Sequence, residues 1–161
     1  MSDSGNVHFV PLTWEEVNTH TQILAQQLRD KAPAGGWKGM IAITRGGLVP
    51  AAILARDLDI RHIETVCIVS YNDMAQGQLR LLKGVDPEKV SDGGKDWLVI
   101  DDLVDSGSTA REIRRLLPQA YMAAIYAKPE GLPEVDHYIK EYPQNRWIIF
   151  PWEIPPKEAN L

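Results

Sequence analysis

The run Trp97-Leu98-Val99-Ile100-Asp101-Asp102-Leu103-Val104-Asp105-Ser106-Gly107-Ser108-Thr109 constrains this chain more than any other stretch. Trp97 to Ile100 is apolar and reads as a buried strand that stops at two adjacent carboxylates. A third carboxylate, Asp105, precedes four small residues; beyond them Ile113, Leu116 and Leu117 predict a helix from Ala110 to Leu117, which Pro118 ends. A strand entering a Ser/Gly/Thr turn at a helix start aims backbone N–H groups and a positive dipole end at an anion. Three carboxylates beside that cradle would repel the anion, unless a divalent cation or the cationic part of a substrate came with it. The pattern therefore implies a phosphate, a metal and a centre of developing positive charge in one place.

The rest of the chain supplies a frame for that turn. Thr13 before Trp14-Glu15-Glu16 is a capping-box start, and Val17, Ile23, Leu24 and Leu28 form the apolar stripe of a first helix. Ala32 to Gly36 reads as a turn. Gly39 to Ile43 reads as a strand ending at Thr44-Arg45-Gly46-Gly47, Val49 to Leu58 as a helix, and Ile63 to Val69 as another strand. Tyr71 to Asp96 is too long and polar for an ordinary connection, which favours a functional loop containing a hairpin. Tyr121 to Tyr126 is a further strand. Strands alternating with helices predict a doubly wound, mainly parallel α/β sheet, whose ligands bind beyond the carboxyl ends of the strands. Both glycine turns fall there.

Composition narrows the function classes. At 161 residues the chain is expected to be one domain able to bury a core without staples. A net charge of −5 with no Lys/Arg cluster argues against nucleic-acid binding, so phosphate work must rest on local charge. The lone Cys67 reads as a buried strand residue; one unpaired thiol fits a reducing cytoplasm. His8, His20, His62 and His137 lack zinc-ligand spacing, and no long apolar span or signal-peptide pattern is present.

The acidic run, two apolar residues, Asp and a Ser/Gly/Thr end match, position by position, the motif by which type I phosphoribosyltransferases bind 5-phosphoribosyl 1-diphosphate (PRPP). Arg45-Gly46-Gly47-Leu48-Val49-Pro50, Ser70-Tyr71, Ala127-Lys128-Pro129, Trp147-Ile148 and Pro151-Trp152 narrow the resemblance to the bacterial xanthine-guanine group of that family. It covers about Trp37 to Trp152 and is weakest from Asn72 to Asp96. It implies a core over 37–127, a flexible loop over 71–96 and a base-binding hood and tail over 128–161. It also implies Mg²⁺ as cofactor, PRPP with xanthine, guanine or hypoxanthine as substrates, a cytoplasmic homotetramer, and peripheral membrane association as reported for relatives.

The resemblance also assigns roles. Asp101 and Asp102 face the ribose hydroxyls and the Mg²⁺, with Asp102 the metal contact. Leu103, Val104 and Asp105 belong to the same PRPP-binding run, and Asp105 also handles the proton at N7 of the purine. Ser106, Gly107, Ser108 and Thr109 hold the 5-phosphate. Arg45 and Gly46 bind pyrophosphate, across an Arg45–Gly46 peptide expected to be cis or strained. Lys128 donates to O6 of the base, Trp147 stacks on it, and Ile148 reads its 2-substituent through the main chain. Apart from the resemblance, Asp105 reads equally as a helix N-cap, Lys128 as a surface charge and Trp147 as core. The family carries a loop arginine where the register here gives Gly77, and Arg80 or Lys83 are the available substitutes. The expected reaction gives XMP or GMP plus pyrophosphate. The alternatives are a hypoxanthine-preferring enzyme of the same fold and a non-catalytic PRPP- or nucleotide-binding regulator.

Overall fold

In a computed structural model, residues 7–70 and 78–159 are described. The expected loop residues Tyr71 and Gly77 lie outside them. Six strands form the main sheet in the order β4-β3-β2-β5-β6-β7. These are β2 (Gly39–Thr44), β3 (Ile63–Ser70), β4 (Leu79–Lys83), β5 (Trp97–Val104), β6 (Tyr121–Ala127) and β7 (Lys140–Glu141). All neighbours run parallel except β4, which folds back antiparallel on β3. The hairpin expected within the long polar stretch is instead made between Leu79–Lys83, inside that stretch, and the strand preceding it.

Period-two alternation splits the core into two layers. Met40, Ala42, Leu98, Ile100, Ala123 and Ile125 pack with Leu24 and Leu28 of α1 (Trp14–Asp30) and Ala51 and Leu54 of α2 (Leu48–Asp57). Ile41, Ile43, Val99, Met122 and Ala124 pack with Ala110 and Ile113 of α3 (Ser108–Leu116) on the other face. This is the doubly wound arrangement that the alternation of elements predicted. From β2 the chain turns to β3 on one side, while β5 leads to β6 on the other. A crevice beyond the ends of β2 and β5 results from that reversal.

Four details correct the sequence reading. β5 does not stop at Ile100 but continues to Val104, because β6 pairs with it as far as Ala127. Ile23 and Leu116 are exposed; the inward stripe of α1 is instead Val17, Thr21, Leu24, Ala25 and Leu28. Thr21 is accommodated because its hydroxyl donates to Val17 O at 2.7 Å. Cys67 is half-buried, since β3 lies next to the edge strand and Val66 is its one fully buried residue.

A small second sheet was not anticipated. β1 (His8–Pro11) pairs in parallel with β8 (Arg146–Ile149), joining an early and a late segment of the chain. The fully buried Tyr126 packs on Tyr142 and Phe150, and its hydroxyl meets His20 Nδ1 at 2.8 Å. That aromatic cluster fixes the C-terminal segment over the carboxyl ends of β5 and β6.

Candidate active site

The alternation along β5 continues into the acidic pair and separates its members. Asp102 follows Leu98 and Ile100 toward the α2 side, where it is buried. Asp101 follows Val99 toward the α3 side and lines a small cleft of about 100 Å³ with Ser106 to Ala110. The N–H of Asp102 donates to Asp101 Oδ1 at 2.9 Å, and that of Leu103 donates to Asp102 Oδ1 at 2.7 Å. Burial raises the proton affinity of both carboxyls. Asp101 is held well above the ordinary range by burial and then by the Asp102 charge. Asp102 is pushed up to about 6, by burial first and also by the Glu153 charge. Two carboxylates withdrawn from water, with no salt-bridge partner among the described residues, suit a cation arriving with its own oxygen ligands.

The Arg45-Gly46-Gly47 turn lies against this pair. A Cβ on Gly46 would sit 2.5 Å from both Asp102 carboxylate oxygens, so only glycine lets the turn approach them. Gly47 is pressed against the backbone of Ile43 and Ile100. The cis peptide is Thr44–Arg45, one bond earlier than expected at Arg45–Gly46; Gly46 is the residue packed on Asp102. Arg45 and Gly46 line a cavity of about 660 Å³ that continues to Trp147, Trp152 and Glu153.

The second turn forms the start of α3. Gly107, at φ 79°, is the N-cap residue, and no side chain caps the helix. Asp105 is therefore not its cap; its carboxylate is held elsewhere. The first turn of α3 and the hydroxyls of Ser106 and Ser108, 3.0 Å apart, line the small cleft, an arrangement of donors that suits an anion.

Lys128, directly after β6, is not a surface charge. It is 5% exposed, and its ammonium donates to Asp105 Oδ2 at 2.7 Å. Its backbone N–H donates to Val104 O at 2.9 Å, which places the end of β6 beside the end of β5. Both side chains line a cleft of about 230 Å³ with Asp102, Trp147, Ile148 and Phe150. Ile148 is buried, whereas Trp147 is 53% exposed and forms a wall of the cleft rather than core. Of the substitutes for the loop arginine, Lys83 is engaged with Thr65 O at 2.7 Å and Arg80 lies on the exposed strand β4.

A family model described as the phosphoribosyl transferase domain matches residues 13–159. The chain belongs to the phosphoribosyl transferase family. It is 45% identical, over 89% of its length and 83% of the relative's, to a xanthine-guanine phosphoribosyltransferase of Chromohalobacter salexigens. A purine phosphoribosyltransferase from Pyrococcus horikoshii superposes with a TM-score of 0.77 at 26% identity, over 92% of this chain and 96% of that one. The xanthine-guanine-hypoxanthine phosphoribosyltransferase of Helicobacter pylori shares the fold at a TM-score of 0.76 and 23% identity, over 91% and 95% of the two chains. The doubly wound sheet is thus the type I phosphoribosyltransferase fold.

Two residues at this site had no signal in the sequence. Glu153 lines both larger clefts and accepts the Phe150 N–H at 3.1 Å. Gln144 donates through Nε2 to Asp105 Oδ1 at 2.7 Å. A glutamine in a Pro-Gln-Asn turn has no spacing that would mark it, and its partner lies in another segment.

Proposed function

We propose that this enzyme transfers the 5-phosphoribosyl group of PRPP to N9 of xanthine or guanine, and of hypoxanthine less well, forming XMP or GMP and pyrophosphate. The observation that carries the reading is the Lys128–Asp105 pair in the Trp147 cleft, adjacent to the phosphate turn. A 6-oxopurine presents an acceptor at O6 beside N7 on one edge. A lysine donor and a carboxylate acceptor side by side complement O6 and a protonated N7. Adenine would set its 6-amino donor against the lysine donor, and the Lys128 N–H aimed at the base would have no acceptor there although the ammonium keeps its bond to Asp105.

In this reading Trp147 stacks on the base and main-chain groups at Ile148 meet its 2-substituent. Ser106 to Thr109 take the 5-phosphate, and Arg45 and Gly46 take the pyrophosphate. Asp101 and Asp102 hold the ribose hydroxyls from two sides, and the negative charge around them stabilises the ribosyl oxocarbenium character. The bond from C1′ to the pyrophosphate oxygen breaks with its electron pair on pyrophosphate; the N9 lone pair forms the new bond to C1′, and the N7 proton passes to Asp105. Mg²⁺ suits the Asp102 side of this pair, where it would neutralise pyrophosphate charge. Among the described residues no cluster of three or more His, Cys, Asp or Glu forms a metal cage, and substrate oxygens would complete the coordination.

Among the described residues no helix is long and apolar enough to cross a membrane. A reducing cytoplasm suits the free thiol of Cys67, and exposed Leu81 and Leu82 on edge strand β4 suit a homotetramer. The deciding experiment supplies PRPP and Mg²⁺ with xanthine, guanine, hypoxanthine or adenine and measures nucleotide. XMP and GMP without AMP is the expected result. No product from any base, with PRPP still bound, would replace the enzyme by a regulator.

A further inference from the structure

Around Asp105 the hydrogen bonds close into a ring. Lys128 Nζ donates to Asp105 Oδ2 at 2.7 Å, and Gln144 Nε2 donates to Asp105 Oδ1 at 2.7 Å. The Glu130 backbone N–H, two residues beyond Lys128, donates to Gln144 Oε1 at 3.1 Å. This arrangement leaves the Gln144 amide a single orientation. Glu130 N–H can only donate, so the amide oxygen must face it; the Asp105 carboxylate accepts, so the amide nitrogen must face that. The turn carrying Glu130 is held in place by the Gly131 and Leu132 N–H groups, which both donate to Lys128 O at 2.9 and 3.2 Å, and Gly131 lies close against the carbonyls of Val104 and Asp105.

We propose that Gln144 is a positioning residue for transfer to the purine: it fixes the plane of the Asp105 carboxylate so that Asp105 and Lys128 present an acceptor and a donor to the N7/O6 edge. This rests on the function proposed above. Asp105 has a half-exposed side chain while Lys128 is buried. With the lysine donor alone the carboxylate could swing about its own bond toward solvent. A second donor on the opposite oxygen removes that freedom. Gln144 reaches Asp105 from the turn between β7 and β8, so the turn that leads into the Trp147 strand also sets the proton-handling group.

Two variants test the role. Gln144→Leu keeps the bulk and removes the donor; Gln144→Glu keeps the acceptor for Glu130 but puts an oxygen against Asp105. Steady-state rates with guanine and with PRPP, melting temperature, and rate against pH are measured for both. Expected for Gln144→Leu is a fall in kcat with guanine of between about tenfold and a hundredfold, with the KM for PRPP and the melting temperature essentially unchanged. Expected for Gln144→Glu is weak activity at pH 8 that recovers toward pH 5.5 relative to wild type, as the new carboxyl takes a proton and donates it to Asp105. Wild-type rates in Gln144→Leu, equal losses of PRPP affinity and stability, or a Gln144→Glu profile parallel to wild type would each overturn the positioning role. In those cases wild type still makes GMP. Absence of any nucleotide from wild type would instead overturn the function itself, and this role with it.

Discussion

The side of the crevice proposed to take the phosphates and the side proposed to take the base are built in opposite ways. The phosphate side consists of two strand–turn–helix units, β2 into α2 and β5 into α3, whose functional groups are neighbours in sequence. The base side is assembled from Asp105, Lys128, Gln144 and Trp147, drawn from the ends of three strands and a turn. One side depends on backbone geometry and therefore on glycine. The other depends on side chains held by long-range hydrogen bonds and therefore on packing. The two sides should fail separately, with different kinetic signatures.

Gly46→Ala should have the largest effect on the phosphate side. Its Cβ would meet both Asp102 oxygens at 2.5 Å, so the turn must move away from the acidic pair. Calorimetric affinity for Mg²⁺·PRPP is expected to fall about a hundredfold, or about 2.7 kcal/mol. Retained affinity would show that the turn is not the pyrophosphate site.

Lys128→Met should damage the base side alone. A lost hydrogen bond from a charged donor corresponds to about 1.5–3 kcal/mol, so kcat/KM for guanine should drop about tenfold to a hundredfold. PRPP affinity should stay within about threefold, and a parallel loss of PRPP binding would erase the separation between the two sides.

The acidic pair stands where the two sides meet, and its cost is visible through pH. Burial raises Asp102 from 3.8 to about 6, so protonation favours the folded state. Its stabilising contribution is complete below pH 3.8 and is lost as pH rises through about 6. Asp102→Asn should therefore melt about 3–6 °C higher than wild type at pH 8, with the gap closing toward pH 4. A gap independent of pH would mean that the carboxylate is not under strain from burial. The same variant should bind Mg²⁺·PRPP poorly at pH 8, trading function for stability.

The smallest effect belongs to neither side. Thr13 closes a capping box with Glu16, its hydroxyl accepting the Glu16 N–H at 3.1 Å. Thr13→Ala should cost about 1 kcal/mol. Melting temperature should fall by about 2–4 °C, with kcat/KM unchanged for guanine and PRPP alike. A change in either would couple the first helix to the crevice.

The contrast between the two sides also explains what could be read before the fold was known. Asp101, Asp102 and the Ser106–Thr109 turn were legible because a strand end, a glycine at positive φ and a helix start are consecutive in the chain. The resemblance supplied Lys128 and Trp147, but the residues alone read as surface charge and core. Nothing local distinguishes a lysine aimed inward from one aimed at solvent. The strand β1 was missed because its partner β8 lies at the far end of the chain. The cis peptide was expected one bond too late, since an Arg-Gly-Gly sequence does not show which peptide plane turns.

By itself, then, the sequence determined the doubly wound sheet, the two glycine turns at strand ends and the acidic pair on β5, because each is set by spacing within a few residues. The tertiary structure decided that Asp101 and Asp102 face opposite layers, that Asp105 accepts from Lys128 and Gln144 rather than capping α3, and that Glu153 stands beside Asp102. Those outcomes depend on which strands pair and where the C-terminal segment docks. A bond spanning 39 residues, like that between Gln144 and Asp105, leaves no periodic trace along the chain that makes it.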